Sequence, residues 1–243
     1  MNFSGLFDLL FHDLNFQKAI NKSANPPETN ISIIESARPY FITAVQAKLK
    51  KPVLIIASSA DKARYITEQI RIWTGDDKST ELFPESELLP YQRALIDRST
   101  ELDTARILAN ISANQVSTKY IIVASINAFI KKLPDPKHFL ESSFLLLEGL
   151  DKPPLELVNS LEKLGYISQH LVETPGTYSR RGGIIDVFPI AETSPIRIEF
   201  FGNTIEKLRY FDSVTQRSYQ KNVEAVNINP ATLILKPDSI PDI

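Results

Sequence analysis

The sequence of 243 residues contains no cysteine, which excludes both a disulfide framework and zinc sites built from thiolates. Histidine is scarce too, and because His12, His138 and His170 are scattered we expect no metal site. No apolar run reaches the roughly 18 residues that a membrane-spanning helix needs. Residues 1–16 show helical spacing of leucines and predict a short amphipathic helix, but they have no basic region and no small-residue cleavage site. We therefore expect no targeting segment and a cytoplasmic protein.

Glycine is also scarce, and the eight glycines form neither GxxxxGK[ST] nor GxGxxG. A phosphate-binding loop needs glycines because backbone N–H groups must approach the phosphates closely at a helix N-terminus. The first predicted strand-to-helix junction, residues 34–40, has neither glycine nor lysine, and Glu35 would repel a phosphate. The hydrolase signatures GxSxG and HExxH are missing as well. We expect no catalytic residues, no ATP hydrolysis and no cofactor in this chain.

Neither sign of charge is in excess, because 27 basic and 29 acidic side chains give a formal net charge of -2. Domains that coat nucleic acid are usually strongly basic, so this balance argues against that class while leaving room for a small basic patch. The length and the 43% of hydrophobic residues predict one or two domains, each with its own core.

In the first half of the chain, predicted strands alternate with predicted helices. This alternation is typical of a parallel sheet with helices on its faces. The apolar runs predict strands at 31–34, 53–57 and 120–124, the last two buried on both faces. Helical spacing predicts helices at 38–49, after Ser58 and Ser59, at 99–113 and at 126–132, whereas 82–91 is expected to be irregular.

The pattern changes near Pro134 to an antiparallel, β-rich unit with one helix. Short alternating runs predict strands at 167–172, 183–188, 196–201 and 205–211, with a tight hairpin turn at Gly202 and Asn203. We therefore divide the chain into an α/β domain at 1–132, an inserted β-rich domain at 133–218, and a segment at 219–243 that returns toward the first domain.

A cluster of mixed charge precedes and enters the helix predicted at 99–113. Such mixing is common on solvated helices, so it predicts a salt-bridged surface. Its members are Arg93, Asp97, Arg98, Glu101, Asp103 and Arg106.

Arginine is concentrated in the β-rich unit, where it accounts for five of the six basic residues between 178 and 218. Arginine is favoured where planar, bidentate contacts to carboxylates or phosphates are needed. Five acidic residues in the same stretch leave a net charge of only +1, which is little for a surface that follows phosphates.

Strand alternation divides the run 196–201 into two faces. Its even positions are all apolar and are expected to face the core, whereas Arg197, Glu199 and Phe201 face outward. An aromatic beside charged residues is the composition of a binding hot spot. The sequence equally allows Phe201 to pack under a loop and Arg197 to pair with Glu199 or a neighbouring strand. The face on which Arg181 lies is left open.

Three long stretches of this region read YSRRGGIIDVFP at 178–189, IRIEFFGNTIE at 196–206 and FDSVTQRS at 211–218. Together they resemble a sequence block shared by the excinuclease component UvrB and the bacterial transcription-repair coupling factor. Upstream, LLPY at 88–91 is similar to a segment of the coupling factor. The intact phosphate loop and tyrosine-rich hairpin of UvrB are absent, and 36–40 resembles the degenerate loop of the coupling factor.

The resemblance implies a degenerate RecA/helicase-like α/β domain with an inserted β-rich α+β domain. It implies that the inserted domain binds the excinuclease component UvrA in transcription-coupled nucleotide excision repair. In the family this surface is masked by a C-terminal domain. The RNA-polymerase-binding domain and the DNA translocase motor, with its ATP and Mg²⁺, would lie beyond residue 243, so the chain is expected to be part of a longer protein.

The resemblance also implies which side chains contact UvrA. The family positions credited with that contact correspond to Arg181, Arg197 and Phe201. Their neighbours Arg180 and Glu199 complete the predicted partner-binding set. Two alternatives remain open: a DNA-binding module, and a damage-recognition protein like UvrB.

Overall fold

The computed structural model describes residues 4–23, 30–76, 79–85, 98–112 and 120–233. Within them the helices are α1 (Phe7–Phe11), α2 (Leu14–Ser23), α3 (Arg38–Leu49), α4 (Ala60–Thr74), α5 (Arg98–Ser112), α6 (Ile126–Phe129), α7 (Pro136–Glu141) and α8 (Pro154–Lys163), with 3₁₀ turns at Ser4–Leu6 and Glu35–Ala37. The strands are β1 (Val53–Ala57), β2 (Thr80–Phe83), β3 (Ile121–Ser125), β4 (Phe144–Leu147), β5 (Ile167–Ser168), β6 (Thr177–Arg181), β7 (Ile184–Phe188), β8 (Ile196–Phe201), β9 (Thr204–Phe211), β10 (Ser218–Asn222) and β11 (Ala225–Ile228).

Contacts divide the chain into two units. The first lies within residues 1–87 and 115–131, and the second lies within residues 88–114 and 132–243. The sequence-based division at 132 placed α5 in the first domain, whereas the contacts place α5 in the second unit.

The first unit contains a three-stranded parallel sheet in the order β1-β3-β2, which confirms the α/β pattern read from the sequence. The expectation that β1 is buried on both faces is wrong, because Leu54 and Ile56 are half-exposed on one face. Residues 31–34 are irregular rather than a strand, with Ile31 and Ile34 exposed. Conversely, β2 forms where irregular structure was expected from residue 82, since its backbone pairs with β3.

Local chemistry explains where the helices of this unit begin and end. Pro39 lies in the first turn of α3, where its missing N–H costs nothing. The Ser59 side chain caps α4 by accepting from the Lys62 N–H, and Gly75 ends this helix in the left-handed region with φ of 63°. Both helix positions were expected from the sequence.

The N-terminal segment forms two helices rather than one, because Asp13 interrupts it. The Asp13 carboxylate accepts from the N–H groups of Asn15 and Phe16, which starts α2. Aromatic side chains rather than the leucines bury this segment: Phe7 and Phe16 are buried, while the leucines at positions 6, 9 and 14 are exposed. The predicted amphipathic helix is therefore only partly confirmed.

The second unit is built around a six-stranded sheet in the order β10-β9-β8-β7-β6-β5. All neighbouring strands are antiparallel except β5 and β6. One face packs on α8 through Leu157 and Leu161, which are fully buried. Gly202 and Asn203 form the predicted turn between β8 and β9, with φ of 62° at Gly202.

Helix α5 packs in this second unit, because Ala105 and Ala109 lie in the same core as α8 and the sheet. The segment expected to return toward the first domain also packs here. Strand β11 pairs with β4 in a separate two-stranded sheet, and Val226 and Ile228 are buried in the same core.

Two members of the predicted salt-bridged surface are not on a solvated surface. The buried Glu101 accepts from Thr232 Oγ1 at 2.6 Å and from the Leu233 N–H at 2.9 Å. Arg98 donates to the carbonyls of Ala231 at 2.8 Å and Gly165 at 2.6 Å. The predicted ion pair is present, because Arg98 Nη1 lies 3.3 Å from Glu101 Oε2. The prediction of a solvated surface was wrong for this pair, because its further partners lie far along the chain.

The remaining pair of that cluster, Asp103 and Arg106, is 3.7 Å apart and more exposed, as expected. Arg93 and Asp97 lie outside the described residues, as do the motif at 88–91 and the end of the chain after residue 233. Among the residues that the structure describes, no helix is long and apolar enough to cross a membrane, and no cluster of three or more metal-ligating side chains occurs.

Candidate functional site

Strand register places four of the five predicted site residues on one side of the six-stranded sheet, which we call the outer face. One row across this face joins Ser179, Asp186, Arg197 and Arg209 as directly opposed partners. The next row joins Arg181, Ile184, Glu199 and Lys207. Side chains alternate along a strand, so Phe201, two residues beyond Glu199, lies on the outer face too.

The opposite side of β8 is the core side, as expected. Ile196 and Ile198 are fully buried, and Phe200 packs partly buried against the same core. The extra residue of the bulge between β8 and β9 is Glu206, on β9, so alternation along β8 is uninterrupted.

Arg197 is paired within its own domain. Its Nε and Nη2 donate to the two carboxylate oxygens of Asp186 at 2.8 and 2.9 Å. The carboxylate side chain is 4% exposed and that of Arg197 is 20% exposed. The hydrogen bond to Asp186 raises the pKa of Arg197, although burial opposes this. The sequence-based alternative, pairing of Arg197 with a neighbouring strand, therefore describes this contact.

The same guanidinium lies on an aromatic ring, with its carbon 4.9 Å from the ring centre of Phe211. Its remaining nitrogen, Nη1, is 3.4 Å from Ser218 Oγ and 3.5 Å from the Gln216 carbonyl. Arg209 stands directly opposite Arg197, a like-charge pairing that is unfavourable unless neutralised. Asp186 neutralises Arg197, and Glu199 lies 4.0 Å from Arg209.

One end of the outer face is covered by the segment 169–174. Val172 from this segment is buried against Phe188 and Phe211. The His170 carbonyl accepts from Ser179 Oγ at 3.3 Å and from Arg181 Nη2 at 2.6 Å. Arg181 therefore lies at the border between the covered end and the open end of this face.

The other end of the outer face is open and holds the most exposed aromatic of the described residues, Phe201, at 80%. Ile184 is 38% exposed beside it, and Arg181 is exposed at the border. The alternative in which Phe201 packs under a loop is not what the structure shows.

Glu199 and Arg180 differ from the rest of the predicted set. Glu199 is half-buried within the sheet, between Ile184 and Lys207. Arg180 is exposed but pairs with the buried Ile185, so it projects to the side opposite Arg181. The structure thus brings Arg181, Arg197, Glu199 and Phe201 together and separates Arg180 from them.

Sequence reasoning missed Asp186, Ile184 and Lys207 on this face. The alternation of 183–188 was visible, but it does not say which side of that strand faces outward. The pairing of Arg197 with Asp186 needs the register between β7 and β8, which only the folded sheet supplies.

This arrangement is suited to binding rather than to covalent chemistry. An exposed aromatic on a rigid strand, with cationic groups beside it, matches the centre of a protein–protein interface. The hydroxyl of Tyr210 in this unit already has a partner within the chain, because it donates to Glu192 at 2.8 Å. Burial together with this hydrogen bond raises the pKa of Tyr210 to about 12.

Comparison with known proteins is consistent with this geometry. Residues 146–233 match the family model of the UvrB interaction domain. The chain is 32% identical over 207 residues to the transcription-repair-coupling factor of Bacillus subtilis, covering 84% of this chain and 17% of the relative. It is 28% identical over 208 residues to the coupling factor of Myxococcus xanthus, with the same coverage.

A second group of relatives is shorter. The chain is 28% identical over 229 residues to the UvrABC system protein B of Gloeothece citriformis, covering 89% of this chain and 34% of the relative. The chain thus spans about a sixth of the length of the coupling factors and about a third of that of the UvrABC system protein.

Proposed function

We propose that the chain recruits the excinuclease component UvrA. Two findings support this: residues 146–233 match the UvrB interaction domain, and most of the chain is similar to transcription-repair-coupling factors. The recruitment serves transcription-coupled nucleotide excision repair. The contact surface is the open end of the outer face, with Phe201 at its centre.

The exposure of Phe201 is the observation that carries this proposal. A phenylalanine that is 80% exposed on a hydrogen-bonded strand leaves a large apolar ring in water. Partner binding removes that ring from water, and such aromatic anchors typically contribute about 2 kcal/mol or more. Because the ring stands on a paired strand, little conformational freedom is lost on binding.

Arg181 and Arg197 have different roles in this binding mode. Arg181 is exposed at the border of the surface and makes a charge-assisted hydrogen bond to a carboxylate of the partner. Arg197 uses two of its nitrogens for Asp186, and its Nη1 lies near Ser218 and Gln216, so its role is to fix the register of β7 and β8. Glu199 and Lys207 set the charge around Phe201, whereas Arg180 projects to the other side of the sheet and takes no part in this contact.

For the first unit we infer a degenerate RecA/helicase-like domain that binds no nucleotide. Its parallel sheet with a capped helix after β1 supports the fold assignment. A groove of about 310 Å³ lies beside the carboxyl end of β1, and its lining includes Ile56, Tyr65 and the charged Glu35, Arg38 and Lys62. The Glu35 carboxylate lies 4.0 Å from Lys62 Nζ and would compete with a phosphate for that cation.

Further activities belong to the longer proteins that this chain resembles. We infer that RNA polymerase, double-stranded DNA and an ATP-driven motor engage other parts of such a protein. The resemblance implies that a C-terminal domain masks the outer face in proteins of that length, so we expect this chain alone to bind UvrA more readily than such a protein does.

The test is a pull-down of purified UvrA by this chain. We expect capture by the wild-type chain, loss with Phe201→Ala, and reduced capture with Arg181→Ala. A parallel salt titration against duplex DNA covers the alternative: steeply salt-dependent binding to DNA without capture of UvrA would contradict recruitment. Binding of a fluorescent ATP analogue would contradict the role given to the first unit.

A further inference from the structure

A second exposed apolar side chain lies beside Phe201 on the outer face. Ile184 on β7 is directly opposite Glu199 on β8, and Phe201 lies two residues further along β8. The Phe200 N–H donates to the Gly183 carbonyl at 2.9 Å, so pairing of the two strands continues to this end. Ile184 and Phe201 are therefore diagonal neighbours on one face, a separation of about 7–8 Å that large side chains bridge.

The surroundings of this pair explain why both side chains stay exposed. Gly182 and Gly183 form the turn before β7, and Gly202 follows Phe201 along the chain. A Cβ added at Gly182 would have no atom within 4 Å, so the space beside this turn is open. The next residue along β7, Ile185, is fully buried, which shows that exposure of Ile184 is a matter of face and not of fraying.

Charged groups surround the two apolar side chains. Arg181 on β6 is directly opposite Ile184, and Lys207 on β9 is directly opposite Glu199. The Glu199 carboxylate lies between them and is 4.0 Å from Arg209, which neutralises it, so cations are in excess at this border. An apolar centre with cations at its border is complementary to an apolar recess bordered by carboxylates. Duplex DNA fits the apolar pair of Ile184 and Phe201 poorly. Its phosphates bind cationic groups, and isoleucine has no aromatic ring on which a base could stack.

We propose that Ile184 is a second apolar anchor, which enters the same recess of the partner as Phe201. This inference rests on the proposed function, since the partner is UvrA. It adds that the partner's recess receives side chains from two adjacent strands of this sheet, β7 and β8, and that carboxylates border the recess.

Calorimetric titration of UvrA with the full chain tests this inference. Ile184→Thr keeps a β-branched side chain on the strand and replaces apolar contact surface with a hydroxyl. We expect affinity to fall about three- to tenfold, since roughly one buried methylene or slightly more is lost. The matched control is Ile167→Thr, because Ile167 is 49% exposed on β5 at the edge of the same sheet. We expect this control to keep wild-type affinity.

Two further variants keep the result interpretable. Ile184→Val removes a single methyl group, so if Ile184→Thr fails to fold, a loss of about twofold or more with Ile184→Val still supports the anchor. The double variant with Phe201→Ala tests the shared recess, and we expect the combined loss to differ from the product of the single losses.

The outcomes distinguish the two proposals. Wild-type affinity of a folded Ile184→Thr chain, together with weakened binding by Phe201→Ala, overturns the role of Ile184 and leaves recruitment intact. Independent effects in the double variant overturn the shared recess. No binding of UvrA by the wild-type chain contradicts the proposed function itself.

Discussion

Both carboxylate oxygens of Asp186 are bridged by Arg197, whose Nε and Nη2 lie 2.8 and 2.9 Å away. This pair joins β7 to β8 at the covered end of the outer face. Its geometry is bidentate, which is the arrangement in which arginine binds a carboxylate most strongly. Arg197 is therefore both a member of the predicted contact set and a structural residue of its own domain.

Removal of one member of this pair is expected to destabilise the fold. Arg197→Ala leaves a carboxylate that is 4% exposed without its charged partner, at a cost of about 3 kcal/mol. Urea unfolding measures the change in the free energy of unfolding. An unchanged unfolding midpoint for Arg197→Ala would contradict the structural role. Arg181→Ala, at an exposed position of the same face, is the control and should change stability little.

The contacts of Glu101 predict a second sensitive position. Its carboxylate accepts from Thr232 Oγ1 and from the Leu233 N–H, which fixes residues 231–233 against α5. Glu101→Ala leaves both donors without this acceptor, and we expect a loss of about 2–3 kcal/mol in the free energy of unfolding. Asp103→Ala on the exposed side of the same helix is the control. Equal unfolding midpoints for the two variants would show that this contact contributes nothing.

Glycine substitutions separate backbone strain from steric overlap. Gly176 has φ of 76°, and a Cβ there would lie 2.6 Å from Leu102 Cδ2. Gly149 has φ of 83°, but its Cβ would meet nothing within 4 Å. Gly149→Ala is expected to cost about 1 kcal/mol from strain alone, and Gly176→Ala about 1–3 kcal/mol more from overlap. Thermal unfolding of the two variants, compared side by side, measures this difference, and equal losses would contradict it.

Tyr210 predicts a pH dependence at the alkaline end. Burial and the hydrogen bond to Glu192 raise its pKa from 10.0 to about 12 in the folded protein. The neutral phenol is thus favoured by folding, so its stabilisation is complete below pH 10 and is lost as pH rises toward 12. Tyr210→Phe removes the titrating group. Urea midpoints measured from about pH 9 to 12 should therefore fall less steeply for Tyr210→Phe than for the wild-type chain, and parallel curves would contradict the assignment.

Local sequence signals predicted much of the second unit. Alternation over 196–201 gave the bounds of β8 and the correct core side, because side chains on a strand repeat every two residues and one face is fully buried. The same alternation placed Phe201 outward. The turn at Gly202 and the apolar face of α8 also follow from local spacing.

Contacts between distant segments were beyond the reach of the same reasoning. Arg98 and Glu101 were predicted to lie on a solvated surface. The local sequence could not show otherwise, because their partners at 231–233 are more than a hundred residues away. The pairing of β11 with β4 joins segments that are far apart in the sequence. The side of the sheet on which Arg181 lies follows only from the register between β6 and β7. Residues 31–34 have strand composition, yet they are irregular in the folded chain.

The affinity of UvrA for Phe201→Ala tests the central claim most directly. Because this ring is 80% exposed, its removal should leave the unfolding midpoint of the free chain unchanged. Calorimetric titration should then show affinity lower than wild type by about thirtyfold or more, as expected for an anchor contributing about 2 kcal/mol. A folded Phe201→Ala chain that binds UvrA as tightly as the wild-type chain would contradict recruitment through this surface.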